Sequence, residues 1–125
     1  MNRVIKFRAW DTELKFMVDP SAYFVEFDGS VWFNNTDGID SDYLCDQSNK
    51  LKLMQYTGLK DKNGVEIYEG DILDIKKGQG EHHKNVAVIF SKGEFLMEKY
   101  TPIRLVNALK GEVIGNIYEN PELIK

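Results

Sequence analysis

The chain is poor in the residues that most often carry chemistry: among its 125 residues there are one cysteine, two histidines and three prolines. A lone Cys45 excludes an internal disulfide framework and fits a reducing compartment. No apolar run approaches the about 20 residues needed to span a bilayer as a helix, so no membrane association is expected. The opening MNRVIKFRAW lacks an apolar core and a small-residue cleavage site, so no secretory signal is expected there. The expected location is the cytoplasm. Positive charge is missing altogether from residues 16–49, which hold no Lys or Arg but contain Asp19, Glu26, Asp28, Asp37, Asp40, Asp42 and Asp46, a local charge of −7 against −4 for the whole chain. An asymmetry of this kind marks either a solvated acidic loop or an interaction surface.

What the chain has in abundance is turn chemistry. Residues 54–73 read MQYTGLKDKNGVEIYEGDIL, with Gly58, Asn63-Gly64 and Gly70-Asp71 in one short stretch, and this density specifies tightly connected strands. Residues 4–10 alternate, with Ile5 and Phe7 to one side and Lys6 and Arg8 to the other, as a half-buried strand does. Residues 14–18 read as its hairpin partner, ended by Pro20. Residues 23–27 and 31–33 read as a second hairpin around Asp28-Gly29. The polar segment 34–49 reads as a long loop or short helix, the seam between parts 1–49 and 50–125. Beyond it, strands are expected at 51–56, 72–76, 85–90, 94–99 and 112–118. Pro102, Ile103, Val106 and Leu109 permit one or two helical turns before the last of these, and Asn120-Pro121-Glu122 resembles a helix start. Short strands with a helical turn before the last suggest a small, bent, SH3-like barrel. Gly58 and Gly70 are expected at turn positions where a β-carbon would be strained.

Each candidate for chemistry has a plainer reading beside it. Cys45 with His82 or His83 as base would make a nucleophile pair, but its acidic neighbours disfavour the thiolate and an unreactive thiol is expected. Glu81-His82-His83 lacks the further ligands zinc requires, and adjacent histidines on an extended segment point apart. Residues 37–42 only faintly resemble a calcium loop and lack the closing bidentate Glu. No catalytic residues, metal or cofactor are therefore expected. Residues 70–78 resemble the start of small barrels that bind RNA; with Lys60, Lys62, Lys84 and Lys92 they would form a basic rim, and Tyr56 or Tyr68 would supply stacking. Interleaved Asp61, Glu66, Asp71, Asp74 and Glu81 argue against that use. The aromatics Trp10, Tyr23, Phe24, Phe27, Trp32 and Phe33 cluster in the first part, mostly as core, with some able to line a partner groove.

Three ordered stretches, IKFRAWDTELKFMV at 5–18, LMQYTGLKDKNGVEIYEGDIL at 53–73 and VIGNIYENPELI at 113–124, resemble the YopX-type proteins, small proteins encoded by phages and prophages of mainly Gram-positive bacteria. The resemblance implies an α+β, β-dominated fold: an N-terminal hairpin-rich α+β subdomain at 1–49 followed by a C-terminal SH3-like barrel at 50–125. It implies a mobile-element protein in a bacterial cytoplasm, and it implies no activity.

The expected function is that of a non-enzymatic accessory protein binding a host or phage protein. The expected partner surface is acidic, at Asp37, Asp40, Asp42 and Asp46. The alternative is nucleic-acid binding through Lys76, Lys77 and Lys84. Assembly into a homo-oligomer through sheet edges is a third reading.

Overall fold

The computed structural model describes residues 3–33, 50–76, 82–98 and 102–124. The chain divides into two compact units, one of Arg8–Met54 and one of Met1–Phe7 with Gln55–Lys125.

In the first unit, β1 (Phe7–Asp11) pairs antiparallel with β2 (Phe16–Met17), placing Trp10 opposite Met17. Asp11 builds the turn between them, because its Oδ1 accepts the N–H groups of Glu13 and Leu14, both at 2.9 Å. Burial raises the Asp11 carboxyl, but these two bonds and the nearby Lys50 outweigh it and hold the group below its ordinary value. Asp19 caps a 3-10 turn at Pro20–Ala22 by accepting the N–H of Ser21. Next come β3 (Tyr23–Val25) and β4 (Val31–Phe33), antiparallel with Phe24 opposite Trp32. The core is Ala9, Val18, Tyr23, Val31 and Leu51. Leu51 opens β5 (Leu51–Lys60), which enters this unit as far as Met54.

In the second unit, β5 pairs with β6 (Glu66–Tyr68), a strand the sequence reading did not anticipate. Their register shifts between Tyr56 and Lys60, and Gly58 sits in that bulge at φ +90°. Gly70, at φ +88°, turns the chain into β7. Both glycines thus adopt the left-handed conformation that β-carbons disfavour, Gly58 within a bulged strand rather than a tight turn. Five antiparallel strands follow: β7 (Asp71–Lys76), β8 (His82–Ser91), β9 (Glu94–Glu98), β10 (Pro102–Arg104) and β11 (Gly111–Asn116), in spatial order β10-β9-β8-β7-β11. This sheet curls into a half-barrel. Its inner face carries Leu73, Ile75, Val86, Val88 and Met97, which form the core with Ile67 and Ala108. Between Leu73↔Val86 and Ile75↔His83 the register slips, so Lys84 and Asn85 together oppose Asp74 in a bulge, with Asn85 at φ 56°.

The chain is β-dominated as expected. The helical segments among the described residues are 3-10 turns, at Pro20–Ala22, Leu105–Lys110 and Pro121–Ile124. Pro102 begins a short edge strand rather than a helix, a position where the missing amide donor costs no ladder bond. The helical turn starts three residues later and remains 3-10, the usual form of so short a piece.

The outer edge of β11 is covered by the turn after β5. Asp61 Oδ2 accepts the N–H of Val113 at 2.9 Å, and the N–H of Lys62 donates to the Gly111 carbonyl at 3.0 Å. Asp61 Oδ1 accepts from Asn63 and Val65 at 2.8 and 2.9 Å, which fixes the turn itself. Among the described residues, β10, at the opposite edge, pairs only with β9 within the sheet.

Candidate functional site

The β8–β9 hairpin is longer than the core it covers. Val88 and Met97 face inward and are buried. Two residues further toward the turn, Phe90 and Phe95 are register partners on the same face, beyond the end of the core. Their rings meet edge to face, with centroids 5.0 Å apart and planes at 67°, a favoured geometry for an aromatic pair. Phe90 is nevertheless 55% exposed. The turn that ends the hairpin holds Lys92 at φ 52° and Gly93 at φ 84°. Beside it, at the open β10 edge, lies a cleft of about 370 Å³ lined by Phe95, Ile103 and Val106, with Glu94 and Arg104 bringing one charge of each sign. Sequence reading missed this pair. The signal was available: Phe90 and Phe95 flank a four-residue turn, so pairing of the strands makes them cross-strand neighbours.

Asp37, Asp40, Asp42 and Asp46, with Cys45, Lys77 and Glu81, lie outside the described residues. Lys76 is exposed at the end of β7, opposite His82, whose Nε2 contacts Asp74 Oδ1. Glu112 of β11 faces Asp74 from the other side. Lys84 sits in the bulge of β8. The described part of this surface is therefore of mixed sign, with Lys76 and Lys84 set among Asp74 and Glu112. Lys92 lies beyond the other end of β8. Tyr56, named as an exposed stacking group, is buried: it faces Tyr68 across β5 and β6 with ring centroids 5.5 Å apart, and Lys6 Nζ lies 5.4 Å from its ring centre. Lys6 also pairs with Glu66, and that hydrogen bond holds its ammonium above the ordinary lysine value.

His82 and His83 do not converge. His83 is opposite Ile75 on the inner side, while His82 turns outward to Asp74. Among the described residues no three His, Cys, Asp or Glu side chains come together as metal ligands. No helix among them is long and apolar enough to cross a membrane. The first-part aromatics divide. Trp10 and Tyr23 are buried, Trp32 is half-buried, and Phe24 and Phe27 are exposed.

The sequence pattern of the family described as YopX protein matches residues 6–125. The chain belongs to the YopX family. Protein EF1440 from Enterococcus faecalis, known from a crystal structure, is similar to it at 31% identity over 99% of this chain and 100% of that one, with a TM-score of 0.65. Protein yopX from Bacillus subtilis is similar in fold, at 23% identity over 95% of this chain and 97% of that one, with a TM-score of 0.58. No curated protein matches. The family match over residues 6–125 reaches both units and takes in every side chain at the cleft.

Proposed function

We propose that this YopX-family chain is a non-enzymatic accessory protein of a phage or prophage that acts in the bacterial cytoplasm by binding a host or phage protein. The observation that carries the reading is the Phe90–Phe95 pair, an aromatic contact whose Phe90 ring is more than half exposed, next to a cleft of mixed polarity at a sheet edge. Buried aromatics anchor protein interfaces, and covering Phe90 would recover apolar area that folding alone leaves exposed. The occupant is an apolar segment of the partner protein. Residues 37–46 remain, on their sequence, a proposed second contact region through their acidity. We also read the five-stranded sheet as an SH3-like barrel. Support comes from its meander of four strands, β7 to β10, the 3-10 turn at Leu105–Lys110, and the return of β11 beside β7.

The test is affinity capture of the full chain from lysate of a Gram-positive bacterium, with nuclease-treated and untreated samples in parallel. A partner retained after nuclease and lost with Phe90→Ala supports the reading. Recovery abolished by nuclease refutes it in favour of nucleic-acid binding through Lys76, Lys77 and Lys84.

A further inference from the structure

The tip of the β3–β4 hairpin carries Phe27 with a relative exposure of 112%, so its ring makes no use of the fold around it. The loop beneath is nonetheless firmly built. Glu26 N–H donates to the Ser30 carbonyl at 3.0 Å, and Gly29 N–H to the Glu26 carbonyl at 2.9 Å. Asp28 Oδ1 accepts both the Ser30 N–H at 2.9 Å and the Ser30 hydroxyl at 2.6 Å. Trp32 Nε1–H donates to Ser30 Oγ at 3.0 Å, tying the half-buried indole to the turn, and Gly29 supplies φ +88°. The turn is thus specified by hydrogen bonds at Glu26, Asp28, Gly29 and Ser30, none of which uses the Phe27 ring. A large apolar ring placed there, on a pinned loop, is an anchor whose docking loses little conformational freedom.

Charge defines what it docks into. Phe27 is flanked by exposed Glu26 and Asp28, within a stretch of the sequence that has seven acidic residues and no Lys or Arg. The bonds from Ser30, side chain first and then backbone, hold the Asp28 carboxyl below its ordinary value. A pocket that accepts the ring brings two carboxylates to its rim, and desolvating them uncompensated is unfavourable. We propose that Phe27, with Glu26 and Asp28, is the anchor for a partner protein presenting an apolar pocket rimmed by Lys or Arg. A second copy of this chain is the poorer fit, since its net charge of −4 opposes approach to an all-acidic hairpin. The proposal rests on the protein-binding reading above but uses a different surface.

The experiment replaces Phe27 with the photoreactive p-benzoylphenylalanine in the full chain, irradiates bacterial cells expressing it, and identifies the crosslinked protein. A control carries the same group at Leu14, which is 66% exposed in the same unit. The crosslinked protein is then purified and titrated. Expected are a crosslink from 27 and not from 14, attached within an apolar pocket flanked by Lys or Arg. Phe27→Ala should weaken affinity roughly 30-fold or more and Phe27→Tyr no more than about 3-fold. Glu26→Gln should weaken it by about 5-fold at low salt and flatten its salt dependence. Unchanged thermal unfolding of each variant excludes a folding defect. Binding by Phe27→Ala within about 2-fold of the parent overturns the proposal. So does self-association, seen by sedimentation, that Phe27→Ala abolishes. Absence of a specific crosslink at 27 overturns it too, while nuclease-resistant capture by the whole chain would leave the protein-binding reading standing.

Discussion

Asp61 and Val113 are joined by a 2.9 Å hydrogen bond across 52 residues of sequence. Both carboxylate oxygens of Asp61 are committed, Oδ2 to Val113 and Oδ1 to Asn63 and Val65. An asparagine cannot replace it, because its single acceptor oxygen would serve one side and its NH₂ would meet an N–H on the other. Asp61→Ala is expected to cost about 3 kcal/mol and Asp61→Asn about 2 kcal/mol, read from denaturant midpoints.

The same carboxylate makes stability depend on acid. Burial pushes the Asp61 carboxyl up, but the bonds from Val113, Val65 and Asn63 outweigh it and hold the group below its ordinary 3.8. The folded state therefore binds this proton less tightly than the unfolded state. Its contribution is fully present above about pH 4 to 5 and declines as pH falls through the depressed folded value. Asp61→Asn should remove part of the loss of thermal stability between about pH 4 and pH 2. Equal acid sensitivity in parent and variant would contradict this.

Gly58 tests strain without crowding. A β-carbon there would meet nothing within 4 Å, yet φ is +90°. Gly58→Ala should destabilise by about 1–2 kcal/mol through the backbone alone. A loss below about 0.5 kcal/mol in urea unfolding would mean that the bulge relaxes at little cost.

Phe90 and Met97 lie on one face of one hairpin and should behave oppositely. Met97→Ala opens a cavity in the core and should cost about 2–5 kcal/mol. Phe90→Ala should cost at most about 1 kcal/mol while abolishing capture of the partner. A large stability loss at Phe90 would make the exposed pair a structural element instead.

For nucleic acid, fluorescence titration with single- and double-stranded oligonucleotides should give no binding at low salt that falls steeply as salt is raised. Binding that weakens with Lys76→Ala and Lys84→Ala would favour the alternative surface.

Much of the fold was legible where turn residues punctuate alternating strands. Asp28-Gly29 announced the β3–β4 hairpin, and Ser91-Lys92-Gly93 announced β8–β9. What escaped depended on partners distant in sequence. β6 is only three residues long and exists because Tyr68 pairs with Tyr56 and Glu66 with Lys60. The extension of β8 back to His82 depends on the bulge at Lys84 and Asn85, where apolar alternation is interrupted. Pro102 read as a helix start because no local rule distinguishes that role from a sheet edge. The candidate cleft was less legible than the fold. Composition marks Phe90 and Phe27 as core residues, but Phe90 lies past the end of the core on β8 and Phe27 at the β3–β4 turn, which leaves one half-covered and the other bare.

Covering β11 with the Asp61 turn has a consequence for growth. A sheet lengthens into a fibre only if each added strand leaves a fresh edge and the starting sheet can add at either side. On the β11 side of this sheet, Gly111 and Val113 have already spent the backbone groups a newcomer would need. On the β10 side three residues remain, and the first, Pro102, has no N–H to offer. Strand addition to this sheet is therefore open at the β10 edge alone, which would limit growth to one step instead of a fibre.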